Sequence, residues 1–206
     1  MTNFLFFGDS ITYGEYDGVL GGYVDYLKRF SHAEYYNNKA QEVNCFNLGI
    51  GGETTVGLLK RFEVEVQARL SPDENEIFFF YGANDLAIKK GIEMLTLSDF
   101  ENNISQAIQL AKKYTDKVNV ISIIPISEKL DGIPTAAGTL RTTEKIELFN
   151  TSLKNITTEH SVNFINIYSL FNTNKEELIS NDGVHPNENG YELIAENIKP
   201  IIEKYL

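Results

Sequence analysis

Along the chain, short apolar runs alternate with longer stretches in which apolar positions recur at helical spacing. Phe4-Leu5-Phe6-Phe7, Ile77 to Tyr81, Val118 to Ile124 and Val162 to Ile167 are rich in β-branched and aromatic residues. Val43 to Leu48 is a weaker fifth run, interrupted by Asn44. Runs without polar alternation leave no face for water, so they predict strands of a parallel sheet covered on both sides. Between them, Leu58, Phe62, Val66 and Arg69-Leu70 follow helical spacing. Phe100, Ile104, Ala107, Ile108, Ala111 and Tyr114 form a clearer stripe, after Ser98 with Glu101 three residues on, the spacing of a capping box. Ile146, Phe149, Leu153 and Ile156 make a third stripe, and Tyr191, Ile194, Ala195, Ile198 and Ile202 the last.

Alternation of strand and helix over the whole length predicts an α/β fold, a three-layer α/β/α sandwich with about five parallel strands. No linker, internal repeat or low-complexity stretch divides residues 1–206, so one domain is expected. The formal net charge of −11 argues against a nucleic-acid partner and against stable docking on an anionic membrane. Cys45 is the only cysteine, which excludes an internal disulfide and a Cys-rich zinc site. The opening Met-Thr-Asn-Phe-Leu-Phe-Phe has no basic start and no cleavage site, and no apolar run reaches bilayer length. A cytoplasmic protein meeting dissolved substrates is the expectation.

In a sheet of this kind ligands sit outside the carboxyl ends of the strands. Chemically useful residues should therefore follow the apolar runs directly, and four segments do. Gly8-Asp9-Ser10-Ile11-Thr12 follows the first run, Asn47-Leu48-Gly49-Ile50-Gly51-Gly52-Glu53-Thr54 the second, and Gly82-Ala83-Asn84-Asp85 the third, while Asp182-Gly183-Val184-His185 precedes the last helix. Each has an ordinary alternative. Ser10 or Asp9 suits a helix cap. The glycine-rich second segment suggests a phosphate loop, but Thr54 breaks Gly-x-Gly-x-x-Gly and no Gly-Lys-Ser/Thr follows.

Three histidines compete for a catalytic part. His160 ends a helical segment, where a cation favours the helix dipole. His32 has no informative neighbour. His185 has a carboxylate three positions back and Pro186 after it, which biases it toward an extended backbone. A nucleophilic serine needs a general base whose second ring nitrogen is itself held, and Asp182 with His185 supplies both from one loop. In a shuffled chain of this composition, Gly-Asp-Ser would arise about 0.04 times, Gly-x-Asn-Asp about 0.06 times and Asp-x-x-His about 0.13 times. Together, in order and at strand ends, they form a strong signal.

On these blocks the chain resembles the SGNH (GDSL-type) serine hydrolases over nearly its full length. Gly8-Asp9-Ser10-Ile11 matches the nucleophile block with Ile11 in place of Leu, Gly52 the second-block glycine with Glu53 where Asp is common, and Gly82-Ala83-Asn84-Asp85 and Asp182-Gly183-Val184-His185 the other two. The resemblance implies a flavodoxin-like sheet in order 2-1-3-4-5 and hydrolysis of an acyl ester or thioester with no metal or cofactor. It implies Ser10 as nucleophile, His185 as base and Asp182 as its partner. The oxyanion hole would comprise the N–H groups of Ser10 and Gly52 and the Asn84 amide. Asp9 and Asp85 are expected to hold their turns.

Other readings differ in what they leave unexplained. A phosphotransferase built on Asp9 wants a second carboxylate where Ile11 stands. A flavodoxin-like cofactor module leaves the pairing of Asp182 with His185 without purpose, and an inactive relative that only binds acylated ligands shares every block. Cys45 lies inside a predicted strand, not at its end. Pocket walls are expected from 13–22, 86–97 and 125–141, with Tyr13, Leu86 and Val184 as substrate contacts. The Gly- and Ala-containing 125–141 segment suits a lid. A small, soluble, short-chain acyl ester is the expected substrate, with a long-chain thioesterase or lysophospholipase as the competitor.

Overall fold

The computed structural model describes residues 1–206. Its strands are Thr2–Gly8 (β1), Val43–Gly49 (β2), Glu74–Phe80 (β3), Ile88–Lys89 (β4), Ile92–Glu93 (β5), Val118–Ile121 (β6), Thr139–Leu140 (β7) and Asn163–Ile165 (β8). Its helices are Ser10–Tyr13 (α1), Tyr23–Asn38 (α2), Thr55–Gln67 (α3), Leu97–Ala111 (α4), Thr143–Glu159 (α5), Tyr168–Asn172 (α6), Lys175–Leu178 (α7) and Glu188–Glu203 (α8). Five strands form a parallel sheet in order β2-β1-β3-β6-β8. Counted over those five alone, this is the expected 2-1-3-4-5. No helix is long and apolar enough to cross a membrane.

Side chains alternate across a strand, and β1, buried at all seven positions, shows why its run is apolar throughout. Leu5 and Phe7, with Ile77 and Phe79 of β3, pack against α3, α4 and α5 through Phe62, Phe100, Ile104, Phe149 and Leu153. Phe4 and Phe6, with Phe78 and Phe80, pack against α2 and α8 through Tyr23, Leu27, Tyr191, Ile194 and Ile198. Each fully buried Phe contributes about 1.5–3 kcal/mol. A strand carrying four of these aromatic and aliphatic groups, two per face, is therefore a rigid support for whatever follows Gly8.

Four local features differ from the sequence expectation. Helix α4 is capped by Thr96, whose hydroxyl accepts from Asp99 N at 3.1 Å and donates to Asp99 Oδ2 at 2.7 Å, so Ser98 lies inside the helix. Two cap signals stand two residues apart, and the one whose carboxylate answers the hydroxyl wins. Strand β6 stops at Ile121 although the apolar run continues to Ile124. There Asn150 replaces the ladder, its side chain accepting from Ile123 N at 2.8 Å and donating to Ile123 O at 2.9 Å. Helix α2 is implied by alternation but has a narrow apolar face of Tyr23, Val24 and Leu27, and Gly22 caps it without a side chain. Finally, β4, β5 and β7 form a small antiparallel sheet in order β5-β4-β7. Two-residue strands are too short to show any periodicity.

Candidate active site

The carboxyl end of β1 turns sharply. A Cβ at Gly8 would lie 1.9 Å from Thr12 Oγ1, so only glycine lets the chain enter α1 at once. Asp9 caps that helix by accepting from Ile11 N at 3.0 Å. Ser10 is the first residue of α1, so its N–H has no intrahelical acceptor.

Asp182 organises its own loop. Oδ1 accepts from Val184 N and His185 N, both at 3.0 Å, and from the Ser180 hydroxyl at 2.6 Å. Oδ2 is left facing the imidazole, with His185 Nδ1 at 2.5 Å. A carboxylate only accepts, so Nδ1 carries the proton and Nε2 is the acceptor, toward which Ser10 Oγ donates at 2.7 Å. Burial works to raise the Asp182 carboxyl, but hydrogen bonds from His185, Ser180 and the two backbone N–H groups outweigh it and hold it well below the ordinary carboxylate range. The anion is thus kept beside the imidazole. Tyr16 meets the His185 ring edge-on at 5.0 Å, and Glu15 Oε2 lies 4.0 Å from Nε2.

Gly52, after β2, has φ +73°, a left-handed conformation that favours glycine, and its N–H donates to no group of the protein. Asn84, after β3, is held through both ends of its carboxamide. Nδ2 donates to Asp9 Oδ2 and to Glu53 O, each at 3.2 Å, and Oδ1 accepts from Arg141 Nη2 at 3.2 Å. Ser10, Gly52, Asn84, Asp182 and His185 line one cavity of about 450 Å³. All five residues expected at the chemical centre are therefore brought together.

The expected substrate contacts fare differently. Val184 lines the cavity. Leu86 does not: it is fully buried in the core, because its backbone N–H closes the Gly82 turn and draws the side chain inward. Tyr13 is exposed and borders a neighbouring hollow with Asp17 and Asp25. From 13–22 it is Glu15 and Tyr16 that reach the cavity, whereas 86–97 supplies no wall and forms the β4–β5 hairpin instead. The 125–141 segment contributes Thr135, Ala136, Ala137, Thr139 and Arg141. It is anchored as well: β7 pairs with β4, Gly132 N donates to Arg141 O at 3.0 Å, and Lys90 N donates to Gly138 O at 3.0 Å.

Two supporting clusters had no clear signature in the sequence. Behind the Gly52 loop, Arg61 pairs with Glu53 at 2.6 Å and donates to Leu48 O at 2.6 Å, while Tyr81 donates to Glu53 Oε2 at 2.7 Å. The longer side chain of Glu53 reaches this pair. In the other cluster Asp85 ties the third block to the second, its Oδ1 accepting from Thr55 N at 2.9 Å and Thr55 Oγ1 at 2.5 Å. Its Oδ2 is buried without a partner. Burial pushes the Asp85 carboxyl up to about 6 against those bonds, and pushes Asp9 up to about 7.

These raised values have a sign. An unfolded Asp titrates near about 3.9, so between there and pH 7 the folded chain holds protons that the unfolded chain has lost. Stability conferred on the protonated form is present at low pH and is lost as pH rises through about 6 to 7. Thermal melts from pH 5 to pH 8 should show Tm falling by several degrees, with a flatter profile for Asp85→Asn. A Tm rising steadily over that range in both proteins would contradict the assignment.

The remaining candidates lie elsewhere. His32 is exposed on α2, and His160 caps the end of α5 just before β8, at the amino end of the parallel sheet, whereas Ser10 lies at its carboxyl end. Cys45 is buried within β2, and burial pushes its thiol up to about 12, too high for a nucleophile.

A parallel sheet with these blocks at its strand ends defines the SGNH class of hydrolases. Residues 6–193 match the GDSL-like Lipase/Acylhydrolase family, and the chain belongs to that family, one of hydrolases acting on esters. The fold is similar to the crystal structure of a lipase/acylhydrolase from Enterococcus faecalis, at 26% identity and TM-score 0.80 over 99% of this chain and 96% of that one. It is also similar to an acetyl xylan esterase from Geobacillus stearothermophilus, at 20% identity and TM-score 0.75 over 99% of this chain and 95% of that one. Among curated sequences, the uncharacterized lipoprotein YqeF of Bacillus subtilis is 30% identical over 125 residues, 59% of this chain. The match spans about half of that relative's length, 48%.

Proposed function

We propose that the protein is a serine hydrolase of small acyl esters, with Ser10 as nucleophile. The observation that carries this reading is the hydrogen-bonded series Ser10–His185–Asp182, set in the same cavity as Gly52 and Asn84. Ser10 Oγ attacks the acyl carbonyl as His185 Nε2 takes its proton, and Asp182 stabilises the imidazolium that forms. The carbonyl oxygen becomes an oxyanion held by Ser10 N–H, Gly52 N–H and the Asn84 amide, which exchanges one of its two acceptors for it. His185 then protonates the departing alcohol. Water, deprotonated by His185, attacks the acyl-enzyme; the same donors hold the second oxyanion, and Ser10 leaves with the proton.

The walls support a short acyl group. Apart from Ile11 and Tyr16, the apolar lining of the cavity comes from small or short side chains, Ala83, Ala136, Ala137 and Val184, and Glu15, Thr135 and Thr139 add polar groups to it. Each methylene buried in a deep slot adds about 0.8 kcal/mol, so a long-chain enzyme would gain a few-fold in kcat/KM per carbon. Two measurements test the reading. The wild-type protein should be labelled covalently by a fluorophosphonate, which separates it from an inactive ligand-binding relative. On p-nitrophenyl esters from acetate to decanoate, kcat/KM should peak early and decline. A steady rise through octanoate, or activation at a lipid interface, would replace the short-chain reading with the long-chain one.

A further inference from the structure

We propose that Arg141 is a positioning residue of the oxyanion hole, fixing which end of the Asn84 carboxamide faces the acyl group and strengthening its donor. The inference rests on the hydrolase reading and deepens it.

A carboxamide is nearly symmetric in shape, and rotation by half a turn exchanges its donor for its acceptor. In an oxyanion hole the two orientations have opposite effects, since Oδ1 turned toward the developing negative charge would repel it. Arg141 is the only partner of Asn84 Oδ1, donating from Nη2 at 3.2 Å. On the same edge of the guanidinium, Nε donates to the carbonyl of the preceding residue, Ala83, at 2.7 Å. Two fixed donors thus read two successive residues of the third block, a geometry that suits the rigid arginine fork and that lysine cannot copy. Arginine has no acceptor and keeps its proton, so a flipped Asn84 would set NH2 against a guanidinium N–H.

Burial opposes the Arg141 charge, Asp9 and Asp182 lie near enough to support it, and the two guanidinium hydrogen bonds go to Ala83 O and Asn84 Oδ1. A donor bonded to Oδ1 draws electron density from the amide and makes its N–H groups better donors. The residue arrives from the far end of the 125–141 segment, 57 positions from Asn84, where the bridge between Asp131 and Arg141 and the pairing of β7 with β4 fix its backbone. The small antiparallel sheet thereby acquires a role: it carries the clamp.

The test is a double-mutant cycle on the purified full-length protein, reading kcat and KM for p-nitrophenyl acetate, with circular dichroism as the check on folding. Arg141→Met should lower kcat about 10- to 100-fold and leave KM within about threefold, a part of the full effect of losing an oxyanion donor. Arg141→Lys, which keeps the charge and loses the fork, should recover less than about a tenth of the wild-type kcat. In an Asn84→Ala background, Arg141→Met should change kcat less than about twofold, because nothing remains to be positioned. Equal losses in both backgrounds, or a change confined to KM, would overturn the proposal, as would full activity of a folded Arg141→Met. If Arg141→Met does not fold, the same comparison is made with Arg141→Lys, and additive losses there are equally decisive against it. A wild-type protein that neither hydrolyses esters nor takes the fluorophosphonate would instead remove the hydrolase reading itself.

Discussion

Ser10→Ala should reduce ester hydrolysis by about 10⁴-fold or more and eliminate fluorophosphonate labelling. The size follows from chemistry: without Oγ there is no atom to form the acyl-enzyme, and only binding and the oxyanion donors remain. The fold should not notice. Ser10 Oγ is hydrogen-bonded to His185 alone, its backbone N–H is not used by α1, and Asp9 still caps the turn. The melting temperature should therefore stay within a few degrees of wild type, since one partly buried hydrogen bond is worth about 0.5–1.5 kcal/mol. Mass spectrometry of the probe-treated mutant is the direct check. A Ser10→Ala protein that still takes the label would place the nucleophile elsewhere.

His185→Ala carries the second large effect. Removing the base should cost about as much as removing the nucleophile, because the two act as one unit. Asp182→Asn should cost less. Asparagine has one acceptor oxygen where Asp182 uses two, so with that oxygen on the loop N–H groups its NH2 faces Nδ1 and disfavours the needed tautomer. The loss is still smaller than at His185 because the base itself remains. His160→Ala and His32→Ala should retain wild-type rates, since neither side chain lies in the cavity. Comparable losses at all three histidines would point to a folding defect and not to a base.

The parts of the site legible in the sequence are those whose chemistry is local. Gly8, Asp9 and Ser10 are joined by a tight turn and its cap, and Asp182 with His185 by a side-chain turn three residues long. Short-range geometry of this kind restricts residue types at fixed spacing, so it leaves a pattern. The long strands were legible because β1 and β3 are covered on both faces. Arg141 left no such trace. An arginine near the start of a helix is unremarkable, and its role depends on Asn84, which the fold brings to it across 57 positions of chain. Leu86 misled for the reverse reason: it directly follows the third block, yet its N–H closes the Gly82 turn and its side chain is fully buried in the core. Helix α2 was weakly marked because its buried face is only a few residues wide.

The hydrogen bond between Ser10 and His185 joins positions 175 residues apart. A ribosome emits the first of these long before the second, so a growing chain carries its serine through most of synthesis without a base to activate it. Covalent labelling is then a census of finished molecules. Chains that have formed β1, β2 and β3 but not yet seated α8 contribute helix and strand to a circular dichroism spectrum and nothing to the count. In a refolding experiment the labelled fraction should trail the recovery of secondary structure by the time that α8 takes to dock against α2, and any fragment ending before residue 185 should stay silent to the probe however well it folds.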